Sequence, residues 1–215
     1  MKSAQDTSAM IRSLAREAAE EEASQGLRFQ RLLLLAAGFS LMLSITLALG
    51  VFGIRPNLPA VLVGAPFLFK LATMLLLAVG GLALVGHAGE PGTGRSAWMM
   101  LIPGFLVLAV GLTVDSSGFP LLGRHGGAAP SCVGAIVLLS LPALAVGLGV
   151  LKRGVPVHPL RAGLAAGFLA GTIGGAAYAF VCTNDGALFV AAWYGLSVLL
   201  VALFGAVIGA RILAW

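Results

Sequence analysis

Long apolar runs, at about 32–52, 60–86, 97–114, 132–151, 160–181 and 188–213, leave this chain few ways to fold. An α-helix needs roughly 20 apolar residues to cross a hydrocarbon core about 30 Å thick. Each run is near that length. None alternates apolar with polar residues, as the strands of a membrane barrel do. Only 10% of the 215 residues are charged, against about 25% in a soluble domain. The predicted fold is all-α: a polytopic membrane protein with six transmembrane helices over 32–215, behind a polar tail, 1–31.

Orientation follows from lysine and arginine. With the N-terminus inside, the inner segments hold Lys2, Arg12, Arg16, Arg28, Arg31, Arg95, Lys152, Arg153, Arg161 and Arg211, and the outer loops only Arg55 and Arg124. This is the positive-inside bias, and it predicts both termini in the cytoplasm. The formal charge of +5 is read the same way and not as affinity for nucleic acid. The first apolar run starts behind the charged tail without an early small-residue cleavage site, so the tail is expected to remain. Within it, Met10, Ile11, Leu14 and Ala18 recur at helical spacing after Asp6, Thr7 and Ser8, candidate N-caps. A short amphipathic helix is expected there, ordered against a partner or the membrane surface, because isolated helices of that length are marginal in water.

The second run contains Pro66 and Lys70, and a tilt or kink is expected. Lys70 lies about a turn past Pro66, so snorkelling outward is the simplest reading of a cation in a span. Trp98, Trp193, Tyr194 and Trp215 sit at span ends, where an aromatic belt is expected. Glu90, Asp115 and Asp185 lie at span ends or in loops and form no carboxylate chain through the membrane. His87, His125 and His158 are scattered without metal-ligand spacing and are read as loop residues. No P-loop, paired carboxylates or nucleophile–base pair is present, so no enzymatic activity or cofactor is expected.

The chain has two cysteines. Cys132 opens the fourth run and Cys182 closes the fifth. About 24 residues separate Cys132 from the middle of the intervening turn, and about 26 separate that turn from Cys182, so at 1.5 Å per residue the two sulfurs fall at similar height on the outer side. They are candidates for a disulfide, for a soft metal ion, or for attack by an oxidant. The plainer reading is two inert buried thiols. There is no CxxC. The fifth run also carries Gly163, Gly167, Gly171 and Gly175, and the sixth Gly205 and Gly209. Small residues every fourth position let another backbone approach, and plain close packing accounts for them. Cys182 continues roughly the same stripe, which would turn its thiol toward a helix partner.

Several of these pieces occur together in one order. Cys182, Trp193-Tyr194, Gly205, Gly209-Ala210-Arg211-Ile212-Leu213 and Trp215 close the chain. Cys132 precedes them, Arg55-Pro56-Asn57-Leu58 and Lys70 stand in the first outer loop and second span, and Met10-Ile11 with Leu14-Ala15 mark the tail. In this the chain resembles the NrsF family, six-helix inner-membrane anti-sigma factors. The resemblance implies a bacterial inner-membrane protein that holds an extracytoplasmic-function sigma factor at the inner face, with no direct contact to nucleic acid. It implies a sigma-binding tail through Met10, Ile11, Leu14 and Ala15. It also implies that Cys132 and Cys182 sense heavy-metal stress and so bind a metal ion transiently. After Cys182 the chain reads Thr183-Asn184-Asp185 instead of the proline and acidic residue expected of the family, and Asp185 is the candidate to replace that carboxylate. The competing readings are a small transporter or channel, which requires a polar path or broken helices at mid-membrane, and a subunit of a larger membrane complex.

Overall fold

The computed structural model describes residues 2–55, 57–88, 97–115, 121, 123, 128–154 and 156–214, without the side chains of 2–9, 12, 18–20, 22, 23 and 128. The expectations attached to Pro56, Glu90, Arg95, Arg124, His125 and Trp215, and to the side chains of Lys2, Asp6, Thr7, Ser8, Arg12 and Ala18, lie outside the described residues.

The tail and the first span form a single helix, α1 (Lys2–Phe52), 51 residues long. No proline precedes Pro56 and the 10–31 stretch is rich in Ala, Leu, Glu and Arg, all strong helix formers. The short separate tail helix is therefore absent, because nothing between tail and span breaks the backbone ladder. Gly53 ends it with φ +76, the left-handed cap that glycine adopts without a Cβ penalty. After a single turn, α2 (Leu58–Val61), the helix α3 (Ala65–Ala88) begins. Pro66 sits in its first turn, where the missing N–H has no intrahelical partner to lose. The expected kink is thus a break and restart: proline could not continue the ladder from α2.

A 3-10 turn, Trp98–Leu101, leads into α4 (Ile102–Val114). Then come α5 (Ala128–Leu151) and α6 (Pro159–Tyr178). A single helical turn, α7 (Ala187–Phe189), passes through a π turn, Val190–Tyr194, into α8 (Gly195–Ile212). The described residues contain no strand. Five segments are long and apolar enough to cross a membrane: Ser24–Phe52, Ala65–Ala88, Ala129–Leu151, Pro159–Tyr178 and Ala187–Ile212. The sixth apolar stretch, Trp98–Val114, is shorter. At 1.5 Å per residue it reaches about 25 Å.

The middle of the bundle is α6, packed by α8, α5, α3 and α1. It is also the least hydrophobic of the five, with a mean hydropathy of 1.2 and 78% of its window buried. Its burial rests on small residues. A Cβ on Gly163 would lie 2.8 Å from Gly209 Cα, one on Gly167 2.7 Å from Ala202 Cα, and one on Gly171 2.9 Å from Val198 Cα. Gly205 and Gly209 face Gly163 and Gly167 in return. Gly175 leaves this stripe and meets Met74 Sδ on α3 and the Tyr194 ring. Large apolar side chains instead point outward from the bundle, among them Leu35, Phe39, Phe105, Leu106, Leu203 and Phe204.

The two ends of the bundle differ in charge. Arg28 and Arg31 on α1, Lys152 and Arg153 after α5, Arg161 on α6 and Arg211 on α8 are exposed at one end. The cysteines lie at the other.

Candidate functional site

At the second end the chain leaves α6 at Tyr178, and Cys182 N closes the last turn onto Tyr178 O at 2.9 Å. Cys182 therefore sits on a connector and not on the glycine stripe of α6, and its thiol faces α5. Cys132 stands one turn into α5. The sulfurs are 3.8 Å apart, both thiols are free, and both side chains are buried. Tyr178 Oη donates to Cys132 Sγ at 3.6 Å, and Cys182 Sγ lies 3.9 Å from Asn184 O. With Cys132 donating to Cys182, the thiols form a directed chain from the Tyr178 phenol to the Asn184 carbonyl. That donated hydrogen bond holds the Cys182 thiol below the usual cysteine range; burial opposes it, and the Lys70 charge acts in the same direction.

Lys70 does not snorkel. It is fully buried; its ammonium donates to Cys182 O at 3.0 Å and Asn184 O at 3.2 Å and pairs with Asp185. Arg55 comes from the other side. Its guanidinium reaches Asp185 twice, at 3.2 and 2.9 Å, and Cys182 O at 3.1 Å, while Nε donates to Asn57 at 3.0 Å. The Phe67 ring lies under the guanidinium, 5.9 Å from its centroid. The expectation of outward snorkelling fails because a counter-ion and two backbone acceptors wait within the protein, and a buried charge is tolerated when paired and hydrogen-bonded. Asp185, read from sequence as a loop residue and a replacement co-ligand, is instead committed to these two cations.

The aromatic expectations divide. Tyr194 is fully buried, not part of a belt, because the π turn at Val190–Tyr194 directs it inward beside Cys182. Single π turns of this kind often mark functional positions. Trp193 is half-buried and donates Nε1 to Leu121 O at 2.7 Å. Asp115 accepts from Ala187 N at 2.7 Å and so caps the start of the last helix. His87 belongs to the last turn of α3, with Nδ1 2.8 Å from Ala83 O, and not to a loop. The tail residues Met10, Ile11, Leu14 and Ala15 are exposed on α1, at the far end of that helix from Arg55.

The thiol pair suits a soft cation. Two thiolates on a tetrahedral ion, each bonded at about 2.3 Å, stand about 3.8 Å apart, and thiolates select thiophilic metals. Among the described residues no three His, Cys, Asp or Glu side chains gather; the soft donors at this site are the two sulfurs.

Among the described residues the chain is a helical bundle with five segments long and apolar enough to cross a membrane, its two thiols buried at one end and an apolar stripe exposed beyond the other. The family described as "Negative regulator of sigma F", NrsF, matches residues 17–215. The chain is 32% identical over 191 residues to the anti-sigma-F factor NrsF of Caulobacter vibrioides, covering 86% of this chain and 89% of that protein. It is 30% identical over 187 residues to a probable anti-sigma-F factor NrsF of Azospira oryzae, covering 84% and 87%. No solved structure matches. The chain belongs to the NrsF family of negative regulators of a sigma factor, which are regulatory proteins and not enzymes. The transporter and complex-subunit readings draw no support from that family. Met10, Ile11, Leu14 and Ala15 precede the matched residues.

Proposed function

We propose that this protein is an inner-membrane anti-sigma factor that spans the bilayer six times with both termini inside. It binds an extracytoplasmic-function sigma factor through the tail and releases it when a heavy metal or another thiol-directed stress reaches Cys132 and Cys182. The basic end of the bundle faces the cytoplasm by the positive-inside rule, which puts the thiols outside, in an oxidising compartment. Met10, Ile11 and Leu14 stay 64%, 61% and 55% exposed. Arginines and glutamates surround them, as suits docking to a partner's groove.

The observation that carries this reading is the pair of sulfurs 3.8 Å apart, which joins α5 to the connector after α6. Cys132 and Cys182 would hold a soft ion, whose binding would supply a strong bond between two separately supported elements. The protein's part is to make that bond matter elsewhere. Arg55 and Lys70 both grip the Cys182 carbonyl, and Arg55 lies three residues past the end of α1. A shift of Cys182 therefore acts on α1, and α1 runs unbroken to the sigma-binding stripe. The glycine contacts of α6 with α8 let α6 respond as a packed body with discrete arrangements. Only a ligand that prefers one arrangement moves the balance.

The test is the Cys132→Ser, Cys182→Ser double variant in cells carrying a reporter for the sigma factor. Repression should remain at the wild-type level, and induction by thiophilic metals should fall to background. An unchanged induction would end the sensing claim.

A further inference from the structure

Tyr194 is fully buried, and its hydroxyl meets no partner at the distance and angle of a formed hydrogen bond; among the described residues only the buried Thr73 hydroxyl shares that condition. An unpaired buried hydroxyl is costly because its desolvation is not repaid, and such a group in a folded protein calls for a reason. The other phenol of the site has its partner, Cys132 Sγ. The Tyr194 hydroxyl is close enough to the second sulfur, Cys182, to interact with it, but without the geometry of a formed hydrogen bond, and Cys182 is already engaged with Cys132 and the Asn184 carbonyl. The ring is held in place from three sides. The π turn sets its backbone, Lys70 Nζ lies 5.7 Å from its centroid, and the Tyr178 ring lies 6.4 Å away. Gly175 packs against it, a Cβ there standing 3.4 Å from Tyr194 Cδ1.

We propose that Tyr194 is a positioning residue of the thiol site, and that its hydroxyl is the hydrogen-bond donor Cys182 acquires when a thiophilic cation binds. This rests on the thiol-sensing reading above. Coordination takes both sulfurs as thiolates, and any thiol hydrogen, that of Cys132 included, leaves as a proton to water. Cys182 then loses the donor it had in Cys132, and its sulfur is left a charged acceptor without that bond. Hydrogen bonds to an ionised acceptor are roughly twice as strong as neutral ones, and outer partners of this kind set the affinity of metal ligands. The Tyr194 hydroxyl has no formed hydrogen bond at rest and would gain one in the bound state. That difference favours the bound state, which is what a signal needs in order to shift an equilibrium.

The test titrates Cd(II) into the full-length protein in detergent and follows thiolate-to-metal charge-transfer absorbance. Wild type, Tyr194→Phe, Tyr178→Phe and the double cysteine-to-serine variant are compared. Wild type should give the band and the cysteine variant none. Tyr194→Phe should keep the band at a shifted wavelength and bind Cd(II) about tenfold more weakly, the worth of a hydrogen bond to a charged group. Its metal-free form should unfold at the wild-type temperature or above, because the removed hydroxyl had no partner there. Metal-free Tyr178→Phe should unfold lower, having lost a bond it makes at rest. Unchanged affinity and band position in Tyr194→Phe would overturn the proposal while leaving thiol sensing intact, as would a metal-free Tyr194→Phe less stable than wild type. No band in wild type would overturn the thiol–metal reading and this inference with it.

Discussion

The two ends of α1 are stabilised in opposite ways. At the thiol end, Arg55 makes four side-chain hydrogen bonds and sits nearly out of solvent. Arg55 and Lys70, from two separate segments, both hold Asp185 and the Cys182 carbonyl. At the tail end, Met10, Ile11 and Leu14 stand on one exposed stripe, and the hydrogen bonds there are local, such as Ser13 Oγ to Met10 O at 2.9 Å. A site whose geometry is fixed in advance suits reading a small species. A helix that carries apolar side chains in water suits burying them on another protein. One helix thus joins a region whose side chains are paired within the protein to one whose apolar stripe is left exposed.

The sharpest way to break this contrast is at the tail. Changing Met10, Ile11 and Leu14 together to aspartate removes apolar surface worth about 1.5–3 kcal/mol per buried side chain. Sigma-factor capture by the purified protein should fall by more than about 100-fold while the bundle's thermal stability stays put. Retained capture would move the binding surface elsewhere.

The next largest effect belongs to the thiol end. Lys70→Met leaves Asp185 buried with one cation instead of two and strips a donor from the Cys182 and Asn184 carbonyls. Breaking a buried pair from one side costs about 3–5 kcal/mol, so the variant should unfold markedly earlier in a detergent melt. A wild-type melting curve would mean that Arg55 alone suffices for Asp185. A smaller loss is expected between the two ends. Gly163→Val drives a branched side chain into the backbone of α8 at Gly205 and Gly209 and should cost about 1–3 kcal/mol as overpacking. Gly134→Ala, where a Cβ meets nothing within 4 Å, should instead raise stability by up to about 1 kcal/mol through helix propensity. If Gly163→Val and Gly134→Ala behave alike, the close approach of α6 and α8 is not what holds the bundle.

Much of the thiol pairing is legible in the amino-acid sequence. Counting residues across the turn between two long apolar runs puts Cys132 and Cys182 at one height, and the sulfurs stand 3.8 Å apart. The glycine repeat likewise announces a close helix contact, although nothing in its spacing says that Gly175 serves Tyr194 and Met74 instead of α8. Lys70 and Asp185 escape such a reading for a simple reason. They lie 115 positions apart (70 to 185), and each looks costly or idle until the other is beside it. Tyr194 reads as a belt residue because an extra residue in one turn rotates a side chain, and no residue type encodes a π turn.

Apolar run length and charge placement are enough to determine an all-helical chain with membrane-spanning segments and one basic end, because both act locally and over long stretches. Which side chains meet at the thiol end is decided only by tertiary structure. Arg55, Lys70, Cys132, Asp185 and Tyr194 arrive there from five separate elements or connectors, and their charges and hydroxyls acquire meaning only from the partners that burial supplies or withholds.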